Sequence, residues 1–153
     1  MSRRLLSALI PACVAMVAGT LAYTASATVP TNRHYVILTG PQEVPGPGDP
    51  NATGVAFVNL QPATNQVCVK IRFAQVDGTL SGLHIHDGAR GVAGPIVVDL
   101  TSALSSDGIG CVTASAATIT AIKANPRRFY CNLHSTPSFE GGAIRSQLFN
   151  SDI

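Results

Sequence analysis

Apolar and polar positions alternate in short runs along most of this chain, and the runs are cut by Gly, Pro, Asn or Asp. In Gln66-Val67-Cys68-Val69-Lys70-Ile71-Arg72-Phe73 the alternation puts Val67, Val69, Ile71 and Phe73 on one face and Lys70 and Arg72 on the other. That period of two is the signature of a half-buried strand. Comparable runs occupy 34–39, 54–60, 83–86, 96–100, 110–114, 129–134 and 143–148. About eight short strands with frequent turn signals predict an all-β fold, an antiparallel Greek-key-like β-sandwich. One stretch breaks the pattern: 115–124 carries Ile119 and Ile122 at helical spacing and stops at Asn125-Pro126, which predicts one short helix. Gly46-Pro47-Gly48-Asp49-Pro50-Asn51 reads as a constrained loop within one domain.

The N-terminus follows a different rule. Arg3 and Arg4 precede a mostly apolar run over 5–22, and Ala25-Ser26-Ala27 supplies small residues at a cleavage site. We read 1–27 as a signal peptide and 28–153 as the mature domain, which places the protein outside the cytoplasm, extracellular or periplasmic. Pro11 and Gly19 interrupt the run, which argues against a membrane span. No membrane association is expected after cleavage.

Loss of Arg3 and Arg4 leaves eight basic side chains against eight acidic ones, so the mature domain is neutral. Arg127-Arg128 is the one tight basic pair, too little to neutralise a row of phosphates, and nucleic acid is set aside as a partner. Of four cysteines, Cys13 leaves with the signal, and three remain. In an oxidising compartment one disulfide is expected, and Cys68 with Cys111 is the preferred pair because each falls in a strand. Cys131 is left as a buried thiol, with an intermolecular disulfide or a soft metal ligand as the other uses open to it.

The chemistry-bearing signal is histidine. Leu83-His84-Ile85-His86-Asp87-Gly88 places His84 and His86 at i and i+2 of a strand, hence on the same face. In Tyr130-Cys131-Asn132-Leu133-His134 the residues Tyr130, Asn132 and His134 share a face, so a neighbouring strand can bring His134 to the same spot. Three imidazoles on a rigid sheet suit copper or zinc and leave a fourth coordination position open. Asn132 and Asp87 are the residues placed to orient the imidazoles from behind, although Asp87 could instead cap the turn after the histidine strand. No organic cofactor is indicated. The competing explanation is that these histidines bond to loop backbone and hold loops in place.

Four stretches, in order, resemble the CHRD domain, a module named for chordin. They are Leu38-Thr39-Gly40-Pro41-Gln42-Glu43-Val44-Pro45, then His84-Ile85-His86-Asp87-Gly88-Ala89-Arg90-Gly91-Val92-Ala93-Gly94-Pro95, then Tyr130-Cys131-Asn132-Leu133-His134-Ser135, and finally Gly141-Gly142-Ala143-Ile144-Arg145-Ser146-Gln147-Leu148. The resemblance covers nearly all of the mature chain and implies an extracellular β-sandwich of the kind found as stand-alone secreted bacterial proteins. Many members close on Gly-Glu-Ile-Arg-Gly-Gln-Leu, so Ala143 and Ser146 depart from that pattern, and no role of the missing glutamate carries over. The motif histidines coincide with those selected from strand spacing.

Three functions follow from these residues. The favoured one is a secreted metal-binding module using His84, His86 and His134 to hold copper or zinc. The alternative is a metal-free extracellular interaction or structural module with a protein partner. A mononuclear copper redox enzyme ranks third: His-x-His on a β-sandwich is similar to copper-zinc superoxide dismutase, but four histidines are too few for its two-metal site. No Gly-x-Ser-x-Gly elbow is present to suggest a hydrolase. An open coordination position at a sheet surface would also suit a homodimer.

Overall fold

A computed structural model describes residues 31–149; the expected signal segment 1–27 lies outside the described residues. The strands are β1 (Arg33–Thr39), β2 (Thr53–Gln61), β3 (Gln66–Ala74), β4 (Thr79–Asp87), β5 (Ile96–Asp99), β6 (Ile109–Thr113), β7 (Phe129–Thr136) and β8 (Phe139–Gln147). Every pairing is antiparallel, in the order β5-β4-β7-β8-β1-β2-β3-β6. The expected all-β class is present, but as one nearly closed sheet. The halves β5-β4-β7-β8 and β1-β2-β3-β6 meet at a single register pair, Thr39 opposite Arg145, so a sandwich-like pair of layers is stitched into one sheet at that point.

The alternation read from the sequence decides which side faces in. Val67, Val69 and Ile71 of β3, Leu83 and Ile85 of β4, Cys131 and Leu133 of β7, and Ile144 of β8 are all nearly inaccessible and belong to one core. Phe73 lies on the expected face but outside the core: it keeps 39 % of its surface exposed at the end of β3, where the strand runs past the core. The 3-10 turn at Thr101–Ser105 covers the opening between the sheet's two ends. The Thr101 hydroxyl accepts the Leu83 amide of β4 at 3.2 Å, and the Gly108 carbonyl just beyond accepts the Ile71 amide of β3 at 2.8 Å.

The expected helix is α1 (Ala116–Ala124). Ser115 caps it, its hydroxyl accepting the Thr118 amide at 3.0 Å and satisfying one of the free first-turn donors. Ile119 and Ile122 point into the core. Cys68 and Cys111 stand directly opposite each other on β3 and β6 and form the expected disulfide. Cys131 is a buried free thiol on the core side of β7, and burial pushes it up to about 12. Enclosed there, it is accessible neither to a second chain nor to a metal on the opposite face. Among the described residues no helix is long and apolar enough to cross a membrane.

Candidate metal centre

The face of β4, β7 and β8 turned away from the core carries a layer of polar side chains. Strand register orders them in rows: Gly82 opposite His134, His84 opposite Asn132 and then Arg145, His86 opposite Tyr130 and then Gln147. An outward sheet face is ordinarily wet, yet Tyr130, Asn132, Arg145 and Gln147 are each 5 % exposed or less. Two loops roof them. The loop after β4 sends the Gly94 amide to the Tyr130 hydroxyl at 3.2 Å and accepts from Arg145 Nη2 through the Ala89 and Val92 carbonyls, both at 3.0 Å. The segment after β1 runs over β8, where the Asp49 amide donates to the Ala143 carbonyl at 2.9 Å.

His84, His86 and His134 converge under the edge of this roof. Each offers one ring nitrogen, and the three atoms lie within 4.8 Å of one another. Ligand nitrogens about 2.0–2.1 Å from a tetrahedral zinc sit roughly 3.4 Å apart, so closure on an ion needs side-chain shifts of about 1 Å. The second nitrogens are already held. His86 Nδ1–H donates to the Gly94 carbonyl at 2.8 Å, which leaves its buried Nε2 with no protein hydrogen-bond partner. His134 has both ring nitrogens engaged, Nδ1 with the Glu140 carbonyl at 2.9 Å and Nε2 with the Asn132 side-chain amide at 3.0 Å, so Asn132 would have to release Nε2 to a metal. His84 turns Nε2 toward the Thr101 hydroxyl at 3.3 Å and the Asp99 carboxylate at 3.7 Å, leaving a buried, unpartnered Nδ1. Fixing the far nitrogen of each ring is the arrangement that aims the near one at a metal.

Electrostatics act in the same direction. Burial lowers the pKa of His84 first, and the neighbouring His134 lowers it further against the pull of Asp99. Burial is also the main cause of the lowered pKa of His86. Both rings are therefore neutral at pH 7, the form a metal requires.

The two residues expected behind the histidines part company. Asn132 stands among them, against His134 Nε2. Asp87 does not touch an imidazole; its carboxylate takes Arg128 Nε at 2.5 Å and Nη2 at 2.7 Å, and this pairing keeps it well below the usual carboxylate range. The Gly94 carbonyl has the role at His86 that a carboxylate was expected to fill.

Alternation places Tyr130 on the histidine face, but what packs against it and against Glu43 is not legible in the sequence. Tyr130 stacks on His86 with ring centroids 4.7 Å apart, and the Arg145 guanidinium lies 3.4 Å above the other face of Tyr130. Gly82 gives His84 its place: a Cβ there would fall 2.6 Å from His84 Cε1. Glu43 is 5 % exposed. Its carboxylate packs against Gly142, where a Cβ would lie 2.5 Å from Oε2. Burial pushes Glu43 up to about 7, against the opposing pull of Arg145. Shared faces on β7 and β8 are legible from alternation, but nothing local ties a residue in a Pro- and Gly-rich loop to β8.

Neither curated proteins nor solved structures provide a match to this chain. The family model for the CHRD domain matches residues 35–148, from within β1 to the residue after β8, and so includes all three histidines and both roofing loops. The chain belongs to the CHRD domain family.

Proposed function

We propose that this chain is a secreted, extracellular metal-binding module that holds copper or zinc through His84, His86 and His134. The observation that carries the reading is the convergence of three ring nitrogens within 4.8 Å. The buried, unpartnered Nδ1 of His84 and Nε2 of His86 strengthen it. A desolvated lone pair with no donor is costly, and a metal ion would satisfy both at once. Nitrogen-only donors suit copper and zinc over magnesium and calcium. The Cys68–Cys111 disulfide suits an oxidising compartment and supports export through the segment at 1–27. When bound, the ion would supply an open coordination position; His84, His86 and His134 would hold it, with Gly94, Glu140 and Thr101 fixing their rings.

The test is metal content by mass spectrometry on untagged protein from an export host, beside His84→Ala and His134→Ala. Near-stoichiometric copper or zinc that both variants lose is the expected result. A wild-type protein that takes up neither ion after incubation with both overturns the reading.

A second reading has its own support. His86 and His134 each bind a loop carbonyl, so the histidines also hold loops as they would in a metal-free interaction module. On that account His84→Ala leaves the melting temperature indifferent to added metal in wild type and variant alike.

A further inference from the structure

Beside the histidines, on the β8 side of Asn132, the two roofing loops enclose a cavity of about 170 Å³. Pro41, Glu43 and Val44 line it from one loop, Arg90 and Gly91 from the other, and Arg145 and Gln147 from β8. Two of these carry buried polar atoms that no described residue satisfies. Arg145 is 1 % exposed; its Nη2 is fully engaged with Ala89, Val92 and Gln147, but its Nη1 meets no acceptor. Glu43 is 5 % exposed; the Asn132 side chain and the Val44 backbone lie near its carboxyl and draw its pKa down, but neither oxygen has a partner with good hydrogen-bonding geometry. No ion pair joins Glu43 to Arg145, although each feels the other's charge. Leaving a guanidinium N–H and a carboxyl unmatched in the same wall is expensive, so the pair is shaped for something between them.

We propose that this cavity binds a small organic carboxylate, one oxygen accepting from Arg145 Nη1 and the other from the Glu43 carboxyl, with Arg90 at the mouth. The charge balance favours an anion: two guanidiniums line the cavity, and burial raises the one acid among its walls to about 7, so that it mostly keeps its proton only below neutral pH. The geometry favours a carboxylate over phosphate. A planar group with two oxygens meets one free guanidinium N–H and one acid proton, whereas a tetrahedral dianion would need more donors than these. Inner loop carbonyls already take Nη2, which leaves Nη1 to choose the ligand. The site does not require the histidines to hold an ion.

The experiment is an NMR titration of metal-stripped full-length protein with sodium acetate slightly below neutral pH, with sodium chloride keeping the ionic strength constant. Saturable shifts at the amides of Glu43, Val44, Gly91 and Arg145 are expected, with half-saturation below about 100 mM. Arg90→Ala should weaken binding about threefold, as suits an exposed charge. Glu43→Gln retains a donor and should bind within a few-fold of wild type. Arg145→Lys should lose tenfold or more, because a single ammonium cannot serve the loop carbonyls and the ligand together. If Arg145→Lys does not fold, the location of the shifts and the Arg90→Ala comparison decide. No saturation, an equal response to chloride alone, or shifts confined to the histidines would overturn the proposal. Since the protein carries no metal in this titration, these outcomes stand apart from the fate of the metal reading.

Discussion

At the scale of single residues, buried titratable groups set opposing pH dependences. Glu43 holds its proton more tightly when folded, about 7 against 4.5 unperturbed. Its contribution to stability is therefore fully present below about pH 4.5 and is lost as pH rises through about 7, a swing of up to about 3 kcal/mol. Glu43→Gln, which cannot ionise, should be more stable than wild type at pH 8 and nearly equal to it at pH 4, as urea unfolding at the two pH values would show. His34 works the other way. It is 1 % exposed, its Nδ1–H donates to the Phe149 carbonyl at 2.6 Å, and burial holds its pKa below 6.5. The unfolded chain takes up a proton first as pH falls, so the stability due to neutral His34 is present above pH 6.5 and is lost below it. A His34→Gln variant should be less stable at neutral pH but show a flatter decline between about pH 6.5 and 5.

Glycine matters here through space as well as flexibility. Gly82→Ala would drive a methyl group into the His84 ring, so the ring must leave its position over β4. Gly82 lies in strand backbone with no left-handed geometry to protect, and the fold should survive the change. The expected result is a variant with near-wild-type far-UV circular dichroism whose copper or zinc affinity drops at least tenfold. Retained affinity would mean that His84 reaches the ion from elsewhere or is not a ligand.

At the scale of elements, the disulfide ties β6, an edge strand, to β3. Its half-cystines are 43 residues apart, and closing a loop of that length restricts the unfolded chain by about 4 kcal/mol in the chain-entropy model. Cys68→Ala with Cys111→Ala should lower stability by about 2–4 kcal/mol, measured by chemical denaturation, with the largest gain in amide exchange on β6. The pairing was readable because the two cysteines lie in alternating runs and Cys131 lies in a third. Most strands were readable for the same reason, each to within a residue or two. The exceptions are instructive. The first half of β4, Thr79 to Gly82, and of β8, Phe139 to Gly142, contain Gly and polar residues that read as turn, and neighbouring strands hold them extended. The convergence of three histidines followed from period two plus the adjacency of β4 and β7. Glu43 did not follow, since its approach to β8 depends on how the loop after β1 folds over the sheet.

For the whole molecule, the proposed metal centre joins parts that are far apart in sequence. His84 and His86 come from β4 and His134 from β7, while their rings are held by carbonyls of the loop after β4 and of β8 and by the turn that closes the sheet. An ion there would bind only the folded chain, and at about 100 times its dissociation constant would add about 2.7 kcal/mol, close to 10 °C in melting temperature for a domain of this size. Acid should remove that gain, because each ligand nitrogen must give up its proton to the solvent before binding. Burial lowers the pKa of both His84 and His86, so the gain should persist down to pH 6.5 and fade below it, later than free imidazole would allow. The check is the difference in melting temperature with and without zinc across that range. Glu43 and His34 move both curves alike and cancel in the difference, so a gain that fades above pH 7, or does not fade in acid, would point to ligands other than these imidazoles.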